Sequence, residues 1–325
     1  MVQLRIIGMD LLAEIPTALK TVVDEYIQSN GRIPLEVVGA LQPGDVVYLA
    51  TPPDFHLLQL FEILCSGCGA LVAVEKPLCW LQHHVLAERA CDVLAKYSQS
   101  VVYVEHYTWI DHFDHILLRN AAPPHRVKQI EMALIDDPDG VPSHRLYALQ
   151  DGVIGDCVCH LYALLMKWLR HQQIGEYRLQ VQEVIAASYL QGGKPLPIKG
   201  EMAVSIQSKL FANGDAIDLI FRAAKGTGHV EKIAKFISDG GAILAECNLD
   251  SHQAYSRILT TLLEQRTDDF LRLPEALHVL RWMVEVKTQA IWQTPFTVGQ
   301  MPLFLSPPMV HHEKTTSPLL KGDPR

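Results

Sequence analysis

The sequence predicts a chain in two parts, a parallel-sheet α/β unit followed by an α+β unit with a large, mostly antiparallel sheet. Over residues 1–120, short apolar runs alternate with amphipathic segments. After about residue 120, apolar runs follow one another with few long helices between them. The length of 325 residues also suggests two domains. We therefore predict domains over residues 1–120 and 121–308, and a polar, disordered tail over residues 309–325.

The first domain is predicted as parallel strands joined by crossover helices. Apolar, β-branched runs predict strands at residues 3–9 (QLRIIGM), 45–53 (DVVYLATPP), 70–77 (ALVAVEKP) and 100–107 (SVVYVEHY). Amphipathic spacing predicts helices at residues 15–29, 54–67 and 81–99. Residues 33–45 (IPLEVVGALQPGD) resemble a helical lead-in to the next strand, so we expect the sheet to be reduced by one strand.

The second domain is predicted as a meandering sheet with a few helices. Apolar runs predict strands within residues 126–136, 177–191, 202–211, 216–225, 232–239 and 241–248. Helical spacing appears within residues 158–172, 251–265 and 274–293. Alternating strands such as AVSIQSKLF could present a flat face, and we predict a homodimer through this sheet.

Composition excludes several classes of protein. The net charge is −8, and Lys/Arg clusters are absent, so we expect no nucleic-acid partner. The sequence has no run of 18 apolar residues, so we expect no membrane span. The first residues reach Asp10 and Glu14 too early for a secretion signal, and the cysteines number seven. We predict a reduced, cytoplasmic protein without structural disulfides.

Lys76 is the first candidate for chemistry. It follows a buried-type strand and precedes Pro77, which cannot continue a central ladder, so the strand must end there. Ligands bind at the carboxyl ends of strands in open α/β sheets. A lysine at this edge is therefore either a reactive group or a salt-bridged surface group.

A second candidate cluster lies in DGVIGDCVCH (residues 151–160). Asp156 and His160 are four residues apart, which predicts one helix face and mutual contact. A carboxylate beside an imidazole fixes its tautomer and raises its basicity, as a general base requires. Gly152 and Gly155 would let a ligand approach the backbone.

Three segments together resemble a known superfamily. DVVYLATPPDFH, ALVAVEKPL and DGVIGDCVCHLYALL are similar, in order and spacing, to the glucose–fructose oxidoreductase/inositol dehydrogenase/rhizopine-catabolism superfamily and to the related glucose-6-phosphate dehydrogenases. The similarity covers most of residues 45–300. It implies an N-terminal Rossmann-like domain, a second domain behind the substrate, and hydride transfer between a nicotinamide cofactor and a sugar- or cyclitol-like alcohol.

The resemblance also implies roles for single residues. Lys76 would position the substrate hydroxyl and the nicotinamide, and His160 would be the general base. Asp156 matches the aspartate four residues before that histidine in the inositol dehydrogenases. Glu105 stands where the glucose-6-phosphate branch has an aspartate that orients the same histidine.

Further residues are assigned to ligands on the same basis. NAD or NADP would contact Gly8, Thr51, Pro52, Pro53 and Glu75. A small-molecule substrate would contact His106, Tyr107 and Arg145. We predict no metal site, because the pairs Cys65/Cys68 and Cys157/Cys159 lack the second half of a zinc site or point to different helix faces.

Two departures keep other functions open. The turn after the first strand reads GMDLLAEIP and contains only one glycine of the G-x-G-x-x-G pattern that cradles a pyrophosphate. The strand that usually contacts the adenosine ribose is expected to be missing. One alternative is an enzyme that uses Lys76, Asp156 and His160 for isomerisation, elimination or cyclisation without a dinucleotide. Another is a non-catalytic binding or regulatory protein.

Each candidate residue also has a purely structural interpretation. Lys76 could form a strand-end ion pair, and His160 could be a packed helix residue. Asp156 could cap the helix that follows it. Residues 105–107 could be an ordinary strand end.

Overall fold

The computed structural model describes residues 3–8, 25–29, 31–137, 139–141, 149–191, 193–195, 200–251 and 253–306. Its first sheet has five parallel strands in the order β2-β1-β3-β4-β5. These strands are β1 (Leu4–Gly8), β2 (Glu25–Gln28), β3 (Val46–Ala50), β4 (Leu71–Glu75) and β5 (Val101–Val104). Buried, β-branched residues in β1, β3, β4 and β5 explain why apolar runs predicted these four strands.

The sheet contains a strand that the sequence did not predict. Residues 25–28 were expected at the end of a helix, and the ribose-side strand was expected to be missing; both expectations are wrong. β2 pairs in parallel with β1, with Ile27 opposite Ile7. It is only four residues long and buries Ile27 while exposing Glu25 and Gln28, so its pattern over so few residues cannot be told from one turn of an amphipathic helix. The preceding residues 9–24, including the rest of the predicted helix, lie outside the described chain.

The helices of the chain follow most of the predicted segments. They are α1 (Leu35–Ala40), α2 (Pro53–Cys65), α3 (His84–Leu94), α4 (Asp111–Leu118), α5 (Cys159–His171), α6 (Ala254–Leu263) and α7 (Leu273–Thr288). Short 3₁₀ turns cover His106–Trp109 and the ends of α3, and a π-helical turn covers Ile154–Val158. In the part of the chain that the structure describes, no helix is both long and apolar enough to cross a membrane.

The second sheet is mixed and mostly antiparallel, in the order β13-β12-β6-β11-β10-β7-β14, and a small sheet lies beside it in the order β15-β8-β9. Its strands and those of the small sheet are β6 (Gln129–Asp136), β7 (Tyr177–Ala187), β8 (Tyr189–Gln191), β9 (Lys194–Pro195), β10 (Ala203–Ala212), β11 (Asp215–Lys225), β12 (Glu231–Ile237), β13 (Ile243–Asn248), β14 (Ile291–Trp292) and β15 (Phe296–Thr297).

Both sheets carry helices on their apolar faces. α5 and α7 contribute to one continuous core that includes inward residues of both sheets, such as Phe221 and Val74. The opposite face of the first sheet packs against α6 through Ile258 and Leu262. The outward face of the second sheet is polar and partly exposed, with Gln207 and Asp218 among its residues. A homodimer through that face, and a domain boundary near residue 120, stay predictions.

Candidate active site

Lys76 lies at the carboxyl end of β4, where the sequence placed it. Its backbone N–H donates to the carbonyl of Val104 at 3.2 Å, which ties the strand end to β5. The buried His56 of α2 lies behind this segment, with Nδ1 2.9 Å from the Pro77 carbonyl and Nε2 2.6 Å from the Thr51 carbonyl. The neutral ring has one N–H and donates to one of these two carbonyls, and it packs between the ends of β3 and β4 behind Lys76.

The Lys76 ammonium contacts Asp156 twice. Nζ lies 2.9 Å from the backbone carbonyl of Asp156 and 2.9 Å from its Oδ1. Burial opposes the charged form of both groups, yet Lys76 still holds the pKa of Asp156 well below its usual range. Likewise, burial acts to lower the pKa of Lys76, but nearby anionic groups, Asp156 first among them, raise it well above its ordinary value. The ammonium and the carboxylate are thus both charged near neutral pH.

His160 pairs with Glu105, which follows β5. Its Nδ1 makes a short hydrogen bond with Oε1 of Glu105, and both side chains are buried. When Glu105 is ionised, its carboxylate can only accept, which places the imidazole proton on Nδ1 and leaves Nε2 as the basic atom. Burial, aided by the nearby Lys76 ammonium, lowers the pKa of His160 well below its ordinary value, and burial raises the pKa of Glu105. The ring is therefore neutral at pH 7, the form that a general base needs.

The expectation that the carboxylate of Asp156 contacts His160 is wrong. The carboxylate that contacts His160 is Glu105, whereas the carboxylate of Asp156 turns to Lys76. The reason is local: Asp156 lies in the π-helical turn before α5, where the repeat is wider than the 3.6 residues that the spacing argument assumes. Asp156 does not cap α5 either, since Val158 holds that position without a side-chain cap.

Two of the predicted substrate residues lie beside the pair of His160 and Glu105, which we call the dyad. The rings of His106 and Tyr107 lie 4.7 and 4.3 Å from that of His160, measured between centroids. Within the described residues, Oε2 of Glu105 and Nδ1 of His106 are buried polar atoms without a hydrogen-bond partner. Such atoms are expected where a ligand or water supplies the partner. Arg145 lies outside the described residues.

Two further residues of the site were missed from the sequence. Tyr255 of α6 donates to Oε1 of Glu75 at 2.7 Å and stacks on His106 with ring centroids 5.3 Å apart. Lys225, at the end of β11, lies 3.3 Å from Oδ2 of Asp156. Both are far from the other site residues in sequence. Only the position of Lys225 at a strand end, the same signal that singled out Lys76, could have indicated it.

Three of the site residues could in principle hold a metal ion. Glu105, Cys159 and His160 offer ligand atoms within 4.8 Å of one another. However, Nδ1 of His160 is already bonded to Glu105, and Sγ of Cys159 donates to the Gly155 carbonyl at 3.2 Å. Burial also raises the pKa of the Cys159 thiol, which disfavours the thiolate that binds metals. The arrangement favours proton transfer.

The predicted cofactor residues lie at or just after the carboxyl ends of β1, β3 and β4. With β1 between β2 and β3, the order of strands reverses at the β1–β3 boundary, and ligands bind at such a switch point. Gly8 pairs with Ala50 there, and Thr51, Pro52 and Pro53 lead into α2, whose N-terminus has no side-chain cap. The Thr51 hydroxyl itself donates to Gln59 at 2.6 Å.

Gly152 and Gly155 do approach other groups closely, but those groups belong to the protein. A Cβ at Gly152 would lie 2.5 Å from the Glu201 carbonyl oxygen, and its φ is +70°. Glu201 in turn accepts from the Ile154 N–H at 2.8 Å, which fixes the start of the π-helical turn. The glycine therefore positions Asp156 through the backbone.

We expect Gly152→Ala to destabilise the protein by about 2–5 kcal/mol, because it combines overpacking with an unfavourable φ. Urea unfolding measures this loss. Gly175→Ala is the matched control, since a Cβ there meets open space, and its effect should stay within about 0.5 kcal/mol. Equal stability of the two variants would contradict the close packing of Gly152 on Glu201.

The fold of this chain, in which a parallel sheet with a switch point is followed by a larger mixed sheet, is shared with solved structures of dehydrogenases. The particular structures it resembles match the superfamily that the sequence suggested. A glucose-6-phosphate 1-dehydrogenase from Mycobacterium avium superposes with a TM-score of 0.62 and 12% identity, covering 91% of this chain and 87% of that one.

Two inositol dehydrogenases superpose equally well. A myo-inositol dehydrogenase from Corynebacterium glutamicum gives a TM-score of 0.62 at 11% identity, over 89% of this chain and 96% of its own. The scyllo-inositol dehydrogenase of Lactobacillus casei, solved with NAD(H) and scyllo-inositol, gives 0.60 at 12% identity, over 89% and 96%. No family model matches the sequence, and neither does any curated protein. At these identities the similarity establishes the shared fold.

Proposed function

We propose that the protein is a nicotinamide-dependent dehydrogenase that oxidises a hydroxyl group of an uncharged, sugar- or cyclitol-like polyol. The observation that carries this proposal is the meeting of two proton-handling units at one sheet edge. One is Lys76 held by Asp156, and the other is His160 held by Glu105. A purely structural role would not need a neutral, buried imidazole next to a charged ammonium.

The residues divide the work as follows. Nε2 of His160 takes the proton of the substrate hydroxyl, and the Glu105 carboxylate stabilises the imidazolium that forms. The Lys76 ammonium has three N–H groups, two of which face Asp156. The third binds the substrate oxygen and stabilises its developing negative charge. When bound, the nicotinamide cofactor accepts the hydrogen and two electrons that leave the substrate carbon.

The charge of the site supports an uncharged substrate. Among the described residues, the site and its surroundings hold more carboxylates than lysines. The five carboxylates are those of Glu75, Glu105, Asp136, Asp137 and Asp156, and the three lysines are Lys76, Lys225 and Lys232. Each of these lysines has a carboxylate partner. A phosphate would have to displace those partners, whereas hydroxyl groups would not.

The residues after β2 favour NADP over NAD. Specificity for NAD usually rests on an acidic residue at this strand end, whereas an arginine accommodates the 2′-phosphate of NADP. Here the residues that follow β2 in the sequence are Ser29, Asn30, Gly31 and Arg32. The Arg32 side chain is 82% exposed, and within the described residues its ion pair with Glu62 is long, at 3.8 Å. Its guanidinium is available to a phosphate.

Calorimetric titration tests both parts of the proposal. We expect micromolar binding of NADP(H) and at least tenfold weaker binding of NAD(H). Arg32→Ala should remove that preference, because it deletes the cation without touching the strand-end backbone. Arg89→Ala, at an exposed arginine of α3, is the control and should bind like the wild type.

The same titrations can overturn the proposal. No heat with either cofactor at millimolar concentration would contradict a dehydrogenase and leave cofactor-free proton chemistry or ligand sensing as the function. Binding without preference would contradict the role of Arg32 alone. Turnover is then measured with NADP⁺ and a panel of free and phosphorylated polyols, and oxidation of phosphorylated sugars only would contradict the substrate class.

A further inference from the structure

Lys225 is a buried lysine that the proposed chemistry does not use. It ends β11 and its side chain is 1% exposed. Nζ lies 2.7 Å from Oδ1 of Asp136, 2.9 Å from Oδ2 of Asp137 and 3.3 Å from Oδ2 of Asp156. Two of the three N–H groups of the ammonium donate to Asp136 and Asp137, and Asp156 is an ion-pair partner. Lys225 is therefore surrounded by three carboxylates, one of which is the partner of Lys76.

Its place in the fold explains the three partners. Lys225 is the register partner of Asp136, at the end of the parallel pair of β6 and β11. Asp137 follows in the left-handed region, with φ of +47°, which brings its side chain to the same ammonium. Asp156 arrives from the π-helical turn. The second sheet thus presents a fixed positive charge to the carboxylate that holds Lys76.

Asp156 is consequently shared between two ammonium groups from the two sheets. Oδ1 bonds to Lys76 at the edge of the first sheet, and Oδ2 faces Lys225 at the edge of the second. Both lysines contribute to holding the pKa of Asp156 below its usual range against the effect of burial. The ion pair at Oδ2 opposes rotation of the carboxylate, and it therefore helps to keep Oδ1 directed at Lys76.

We infer that Lys225 is a positioning residue: through Asp156, it sets the orientation of Lys76 and of the one N–H that Lys76 has left for the substrate oxygen. The inference rests on the proposed function for the role of that N–H. The coupling between the two lysines itself is a property of the folded chain and is measurable without a substrate.

A double-mutant cycle on stability tests the coupling. The variants Lys76→Met, Lys225→Gln and their combination are unfolded in urea, first with Asp156 present and then in an Asp156→Asn background. With Asp156, loss of both lysines leaves a buried carboxylate uncompensated. We therefore expect the unfolding equilibrium to shift at least tenfold more than the two single effects combined, equivalent to about 1.4 kcal/mol. In the Asp156→Asn background the two effects should be additive.

The outcomes separate clearly. Additivity in both backgrounds overturns the inference. If Lys225→Gln fails to fold with Asp156 but folds in the Asp156→Asn background, the shared carboxylate is the reason and the inference holds. If it fails in both, Lys225 serves Asp136 and Asp137 alone and the inference is wrong.

Turnover adds a readout that a merely structural lysine would not move. With a polyol found by the assay above, Lys225→Gln should lower kcat at least tenfold with unchanged affinity for NADP(H), and Lys225→Arg should restore part of it. A full kcat in Lys225→Gln overturns the inference. If no polyol is oxidised by the wild type, that failure counts against the proposed function, and the stability cycle still decides the coupling.

Discussion

His160→Gln is expected to lower kcat by about 10²–10⁴-fold, the usual contribution of a positioned general base. Cofactor affinity should not change, because in the proposed function His160 acts on the substrate hydroxyl and its ring pairs with Glu105. Steady-state kinetics with the best polyol, together with calorimetry for NADP(H), measure both quantities. An exposed histidine, His112, replaced by glutamine is the control.

Glu105→Gln examines the other half of the dyad. The amide can donate to Nδ1, which would move the imidazole proton to Nε2 and remove the basic atom. We expect kcat to fall at least tenfold while the protein stays folded. Because burial lowers the pKa of His160 below its ordinary value of 6.5, the acid limb of kcat/KM in the wild type should lie below that pH. Undiminished turnover in both variants would remove His160 and Glu105 from the mechanism.

His56→Asn should alter the pH dependence of the free energy of unfolding by about 3 kcal/mol between pH 7 and 4. Burial lowers the pKa of His56 from 6.5 to about 4. Below pH 6.5 the unfolded chain therefore binds a proton that the folded chain does not, and stability is lost as the pH falls towards 4. The variant lacks this proton, so its deficit relative to the wild type should shrink by about 3 kcal/mol between pH 7 and 4.

Urea unfolding of both proteins at half-unit steps of pH measures this difference. His112→Asn is the control for the loss of one histidine. A difference between wild type and His56→Asn that stays constant from pH 7 to 4 would show that His56 titrates alike in the folded and unfolded chain. The variant also removes the ring that packs between the ends of β3 and β4, so we expect the position of the Lys76 backbone to be less fixed.

The sequence predicted the elements that carry strong, long patterns. Both sheets, most helices and the positions of Lys76 and His160 could be derived because apolar periodicity and strand-ending prolines are local signals. β2 could not, since four residues with one buried side chain do not distinguish a strand from a helix turn. Its identity is decided by pairing with β1, a contact across the fold.

The contacts of the site show the same division. The residue types were readable, but partners were not: Asp156 turned to Lys76 and not to His160 because the chain takes a π-helical turn there. Lys225 and Tyr255 join the site from distant strands and helices, and no spacing connects them with Lys76. Local pattern therefore predicted which groups matter, and the packing of two sheets determined which groups touch.

The helix on the second face of the first sheet has a consequence for synthesis of the chain. The five strands of that sheet are complete at Val104, but among the described residues one apolar face packs against parts of the chain that follow it: Trp109, Phe270 and α6, which ends at Leu263. A ribosome adding ~5–20 residues per second leaves that face open for roughly ten seconds or more. During this interval the nascent chain exposes an apolar sheet face. A chaperone can bind to this face before α6 covers it.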